Sequence, residues 1–106
     1  MLAASAHAQT QTEMNADADA DFRKADAELN AIYAQAKAAL DKEGRAKLVT
    51  AQRAWLAYRD AQAALEADSA RGGSMAPMLH AMALTELTET RTAQLRKLAE
   101  PDNEAD

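Results

Sequence analysis

The chain is expected to be all-α, an elongated antiparallel three-helix bundle with helices over about 11–40, 42–69 and 74–99. Three observations predict it. Alanine is heavily used, β-branched residues are scarce, and only 3 glycines and 2 prolines occur in 106 residues, a composition that favours helix. Apolar residues recur at spacings of three and four through most of the chain, the period of a helix with one buried face. The interruptions between these periodic stretches are only a few residues long, so successive helices must fold back on one another.

In the first helix Met14, Phe22, Ala25, Leu29, Ile32, Tyr33, Ala36 and Leu40 form the apolar stripe. Its opening turns hold Glu13, Asp17, Asp19 and Asp21, where carboxylates complement unpaired amides and the positive end of the helix dipole. The run Asp41-Lys42-Glu43-Gly44 breaks the pattern, and Asp41 is placed to cap the second helix. That helix contains the densest stretch, AQRAWLAYRD (residues 51–60), with the only tryptophan. Trp55 and Tyr58 are three apart, and Leu48, Ala51, Gln62 and Leu65 extend their face, so that face is expected to be buried with Trp55 at the core's centre. Arg59 lies four after Trp55. Its stem is expected at the core edge with its guanidinium on an acid, Asp26 being the candidate. Gly72 and Gly73 can close the helix in the left-handed conformation. Ser74 is read as the cap of the third helix, with Pro77 tolerated in its first turn. Met78, Met82, Leu84, Leu87, Leu95 and Leu98 form its stripe, and Pro101 ends it.

One domain is expected over residues 9–100. The first eight residues end in Ala6-His7-Ala8, the small-x-small pattern of a signal-peptidase site, so they are read as the remnant of a signal peptide rather than an alanine-rich disordered start. The basic and most of the apolar part of such a signal are missing, which fits a start at an internal methionine of a longer precursor. Residues 101–106 read as an acidic disordered tail. Glu100, Asp102, Glu104 and Asp106 account for four of the net charge of −5, leaving the body nearly balanced. This charge argues against nucleic acid, whose phosphates need clustered Lys and Arg, and is compatible with a basic protein partner. No apolar run approaches the roughly 20 residues that span a bilayer, so no membrane insertion is expected. Without cysteine the chain has no disulfide, thiolate metal site or cysteine nucleophile.

The segments EMN (13–15), ADAELN (25–30), LVTAQRAWLAYRD (48–60), GGSMAPM (72–78) and LTELTETRTAQL (84–95) together resemble the LprI-like lysozyme-inhibitor family of small exported bacterial helical proteins. The combination of AQRAW-x-x-YRD with the GGS turn is specific, and it covers nearly the whole chain. The resemblance implies a periplasmic or secreted protein that binds protein, with lysozyme inhibition established for at least one branch. Family members usually carry cysteines where this chain has Asp17, Ala63 and Ala83, and lipoprotein members also carry one at the processing site. Their absence implies a fold held by packing alone and a soluble, unanchored protein.

Within the resembling segments, Asp26, Asn30, Gln52, Arg53, Trp55, Tyr58, Arg59 and Asp60 form the structural motif. Ion pairs between facing helices account for its polar members better than a ligand site does. The turn Arg71-Gly72-Gly73-Ser74 can present backbone amides and a hydroxyl at a helix start, a geometry that accepts carboxylate or carbonyl groups; it is carried as the candidate binding element although a plain connection is the commoner use. Met75, Met78, His80 and Met82 are soft donors of the kind that hold Cu(I), but Met78 and Met82 have the spacing of core filling, so neither metal nor cofactor is expected. Apart from His7, His80 is the only histidine, and no nucleophile elbow, HExxH or P-loop occurs. A thin bundle offers no deep cleft for paired carboxylates. The expected function is therefore non-enzymatic: an exported protein-binding module inhibiting a basic lysozyme-type muramidase. The alternatives are an envelope stress or structural module without an enzyme target and, behind it, a copper binder.

Overall fold

The computed structural model describes residues 8–101. The signal-like start up to His7 and the acidic end beyond Pro101 lie outside that range. Helix α1 spans Gln11–Ala39, α2 Lys42–Glu66 and α3 Ala76–Ala99, with a 3-10 turn over Ala67–Ala70. The chain is all-α, a bundle of three long helices. Its radius of gyration of 17.9 Å compares with about 13 Å for a compact globule of 100 residues. Three rods side by side give this elongation.

Each helix begins where the local chemistry permits. Thr10 and Glu13 form a reciprocal capping box: Thr10 Oγ1 accepts from the Glu13 amide at 3.0 Å, and Glu13 Oε1 accepts from the Thr10 amide at 2.8 Å. Asp41 Oδ1 accepts from the Gly44 amide at 2.8 Å and starts α2. The last turn of α2 tightens into the 3-10 segment, so the helix expected to reach residue 69 ends at Glu66. Gly72 then takes φ +82°, a region that costs an L side chain strain. Ser74 does not cap α3. Met75 holds the cap position without a side-chain hydrogen bond, and α3 starts at Ala76 with Pro77 in its first turn. The serine is engaged otherwise: its carbonyl accepts from Asn15 Nδ2 at 3.2 Å, tying the start of α3 to α1.

α1 and α3 run parallel and pack along much of their length, while α2 lies mainly against α3. Leu29, Ile32, Ala36, Leu48 and Leu95 form one buried cluster, with Tyr33, Leu40, Trp55 and Ala99 packed against it. Ala63, Ala83 and Leu84 form a second, flanked by Phe22 and Leu87. Two of the positions where the family resemblance places cysteines thus share one buried cluster here, filled by methyl groups.

The inward face of α2 is not the expected one. Leu48, Gln52, Arg59 and Ala63 are buried and Trp55 is half-buried at the edge of the first cluster. Ala51 is exposed, and Tyr58 and Leu65 are 53% and 68% exposed. The buried stripe follows 48-52-55-59-63 and includes two long polar side chains that an apolar count rejects. In α3, Met82 and Leu98 also face outward, and Ala81, Ala83, Thr88 and Thr92 take the inner positions. Small residues there allow the close approach of α1.

Two substitutions check this account by urea denaturation. Leu29 is 1% exposed, and Leu29→Ala is expected to lower stability by about 3 kcal/mol, the cost of lost transfer energy plus a cavity. Gly72→Ala meets no atom within 4 Å, so its expected loss of about 1 kcal/mol comes from backbone strain alone.

Candidate binding site

The motif residues on α2 divide between the two sides of the helix. Gln52, Trp55 and Arg59 point into the bundle, whereas Arg53, Tyr58 and Asp60, and Asn30 on α1, are exposed. Arg59 is the hub. Its Nη1 donates to Asp26 Oδ1 of α1 at 3.1 Å and to Thr88 Oγ1 of α3 at 3.4 Å, and its Nε donates to Asp60 Oδ1 at 3.0 Å. The guanidinium lies 5.2 Å from the Phe22 ring centroid and 5.4 Å from that of Trp55. A planar, weakly hydrated cation suits this slot, because its edges donate to oxygens while its faces meet aromatic rings.

The arrangement continues across the tryptophan. Arg91 of α3 lies 5.8 Å from the Trp55 ring centroid, and its Nε donates to Gln52 Oε1 at 3.0 Å. Burial lowers the Arg91 pKa from the usual arginine value, since desolvation disfavours the charged form. The series Phe22, Arg59, Trp55, Arg91 therefore alternates ring and cation across all three helices. No buried side-chain nitrogen or oxygen among the described residues lacks a hydrogen-bond partner. Phe22, Thr88, Arg91 and Thr92 belong to this assembly but were not singled out by sequence reasoning as its members. Thr88 and Thr92 did carry a signal: they fall on the stripe with Leu84 and Leu95, where a buried hydroxyl demands a partner. Thr92 meets that demand by donating to the Thr88 carbonyl at 2.9 Å.

The Arg71–Ser74 turn is exposed. Arg71 Nη2 pairs with Asp68 Oδ2 at 3.1 Å. The Gly73 amide donates to the Ala70 carbonyl at 2.8 Å and the Ala76 amide to the Gly73 carbonyl at 3.3 Å, so these two donors serve the turn itself. Beside the turn lies a shallow cleft of about 450 Å³ lined in part by Ala67, Ala76, Pro77 and His80. The soft donors are dispersed in their roles: Met75 is exposed, Met82 is 54% exposed and Met78 Sδ accepts from Gln11 Nε2 at 3.8 Å. Among the described residues no group of three or more His, Cys, Asp and Glu side chains is placed to hold a metal ion. None of the described helices is long and apolar enough to cross a membrane.

The arginine hub joins the three helices by hydrogen bonds, and a double-mutant cycle measures what it contributes. Asp26→Asn and Arg59→Met are expected to show a coupling of about 1–2 kcal/mol in thermal or urea unfolding, because the pair is partly withdrawn from water. Asp60→Asn is expected to cost under about 0.5 kcal/mol, since the Asp60 carboxylate is mostly solvated.

No solved structure matches the chain. A protein of Rhizobium meliloti (strain 1021), described as uncharacterized, is 47% identical over 92 residues, covering 74% of this chain. The chain spans 66% of that relative's length. The family described as lysozyme inhibitor LprI matches over residues 2–95. With nearly the whole helical body inside that match, the chain belongs to the LprI lysozyme-inhibitor family.

Proposed function

We propose that this protein is exported to the periplasm or beyond the cell and there inhibits a lysozyme-type muramidase by binding it. Membership of an inhibitor family carries the reading. The net charge of −5 supports it, because a basic muramidase approaching an acidic partner gains electrostatic steering. The architecture is also suited to recognition. Its polar interior is consumed by the cross-helix assembly around Arg59, and its remaining variety lies on the outer surface. The exposed Arg71–Ser74 turn and the cleft beside it are the proposed contacts with the enzyme, offering the Ser74 hydroxyl, the Arg71 guanidinium and the imidazole of His80 at one end of the bundle. An inhibitor of this kind acts by covering the substrate cleft and needs no chemistry of its own.

Lysis of a peptidoglycan suspension, followed by turbidity with several lysozyme types, tests the reading. The purified chain is expected to slow lysis by a basic lysozyme in a dose-dependent way. The inhibition should weaken between low and high salt as the charges are screened. Unchanged lysis at large molar excess over every type returns the protein to the alternative, an envelope module with no muramidase target.

A further inference from the structure

On the outer surface all three helices border a groove of about 490 Å³. Its apolar lining includes Leu79, Ala83 and Met82, the last 54% exposed. Its polar lining includes Asp21 from α1, Glu66 from α2, and Glu86 and Glu89 from α3. Elsewhere on the bundle several carboxylates are matched by cations: Asp19 by Arg23, Glu43 by Lys47, Asp26 by Arg59, Asp68 by Arg71 and Glu28 by Arg96. No ion pair among the described residues engages the four groove carboxylates, and Glu66 has only the amide of Gln62, at 3.0 Å. The body of the chain is close to neutral, so four unmatched negatives around one groove are a local concentration of charge.

We infer that this groove is a docking site for a basic segment of a protein partner, one that lays the aliphatic stem of an arginine or lysine along Met82 and Leu79 and delivers its cation to the surrounding carboxylates. Charge selects the occupant. An apolar peptide leaves the carboxylates unmatched, an acidic one is repelled, and a nucleic acid is repelled more strongly. Long basic side chains combine an apolar stem with a charged head, the same pairing of surfaces that the groove presents. The flexible thioether of Met82 adapts to stems of different shape, as methionine does on protein-binding surfaces. The volume falls within the range of pockets that enclose a small ligand, enough to seat side chains rather than a whole element. The inference rests on the inhibitor reading only for the identity of the partner as a basic muramidase; the cationic chemistry of the occupant comes from the groove.

Two measurements separate the two. The first compares the unaltered chain with an Asp21→Asn, Glu66→Gln, Glu86→Gln, Glu89→Gln variant in binding to a basic lysozyme by calorimetry. The variant should melt at or above the parental temperature, since repulsion is relieved, and should bind at least tenfold more weakly. Binding of equal strength overturns the groove as the docking site while leaving the inhibitor reading intact. The second labels the methionine methyl groups and follows them by NMR while an amidated peptide of alternating arginine and leucine is added. The Met82 methyl resonance should shift progressively and the Met75 resonance should not, with the response lost in the neutral variant and absent for a glutamate and leucine peptide. This readout stands even where no lysozyme binds. A Met82 resonance indifferent to the cationic peptide overturns the inference.

Discussion

The bundle depends on one buried cation. Arg59 sits between two aromatic rings, donates to oxygens on the other two helices and leaves little of its side chain in water. The α2 backbone approaches α1 less closely than it does α3, and its outward side carries Tyr58 and Leu65 to solvent. Leucine clusters alone therefore do not fix where α2 lies or how it is rotated. A planar cation with donors in fixed directions does so, because sliding or turning the helix breaks hydrogen bonds that the interior cannot replace. The specificity comes at a cost in desolvation, which the rings and the carboxylate of Asp26 offset.

This constraint explains which parts of the fold were legible in the sequence. Helix number, order and most boundaries come from local chemistry: the Asp41 cap, the Gly72 conformation and the three-and-four spacing in α1 all act within a few residues. The rotation of α2 does not. Counting apolar area rotates α2 so that Ala51, Tyr58 and Leu65 flank Trp55 on the inside, whereas the structure leaves those three in solvent and sets Trp55 between buried Gln52 and Arg59. A long polar side chain can occupy an interior position when partners from other helices surround it, and those partners are not visible from α2 alone. Asp26 is the acid expected for Arg59, and the structure places it there. Phe22, Thr88 and Arg91 complete the same assembly from the first and third helices, where no local spacing connects them to Arg59.

Ser74 departs from expectation for a similar reason. Serine before a periodic stretch is a sound capping signal, but α3 begins at Ala76, which leaves Ser74 one residue short of the cap position, and its carbonyl accepts from Asn15 of α1. The acid-lined groove was equally invisible. Asp21, Glu66, Glu86 and Glu89 are ordinary solvated positions on their own helices and gather only when the three helices are assembled. Family membership and the surface thus supply different information: the first points to inhibitors of lysozyme, and the second gathers four carboxylates around one groove.

The alanines at positions 63 and 83 have a consequence for where the protein can acquire its shape. They close the second cluster by contact between methyl groups, with no covalent step to complete and no thiol to mispair. Folding is thereby uncoupled from oxidants, isomerases and the glutathione balance of whichever compartment the chain occupies. Residues without thiols meet no redox requirement in reaching this packing, whether the surroundings reduce or oxidise, and a reductant has no disulfide among them to cut.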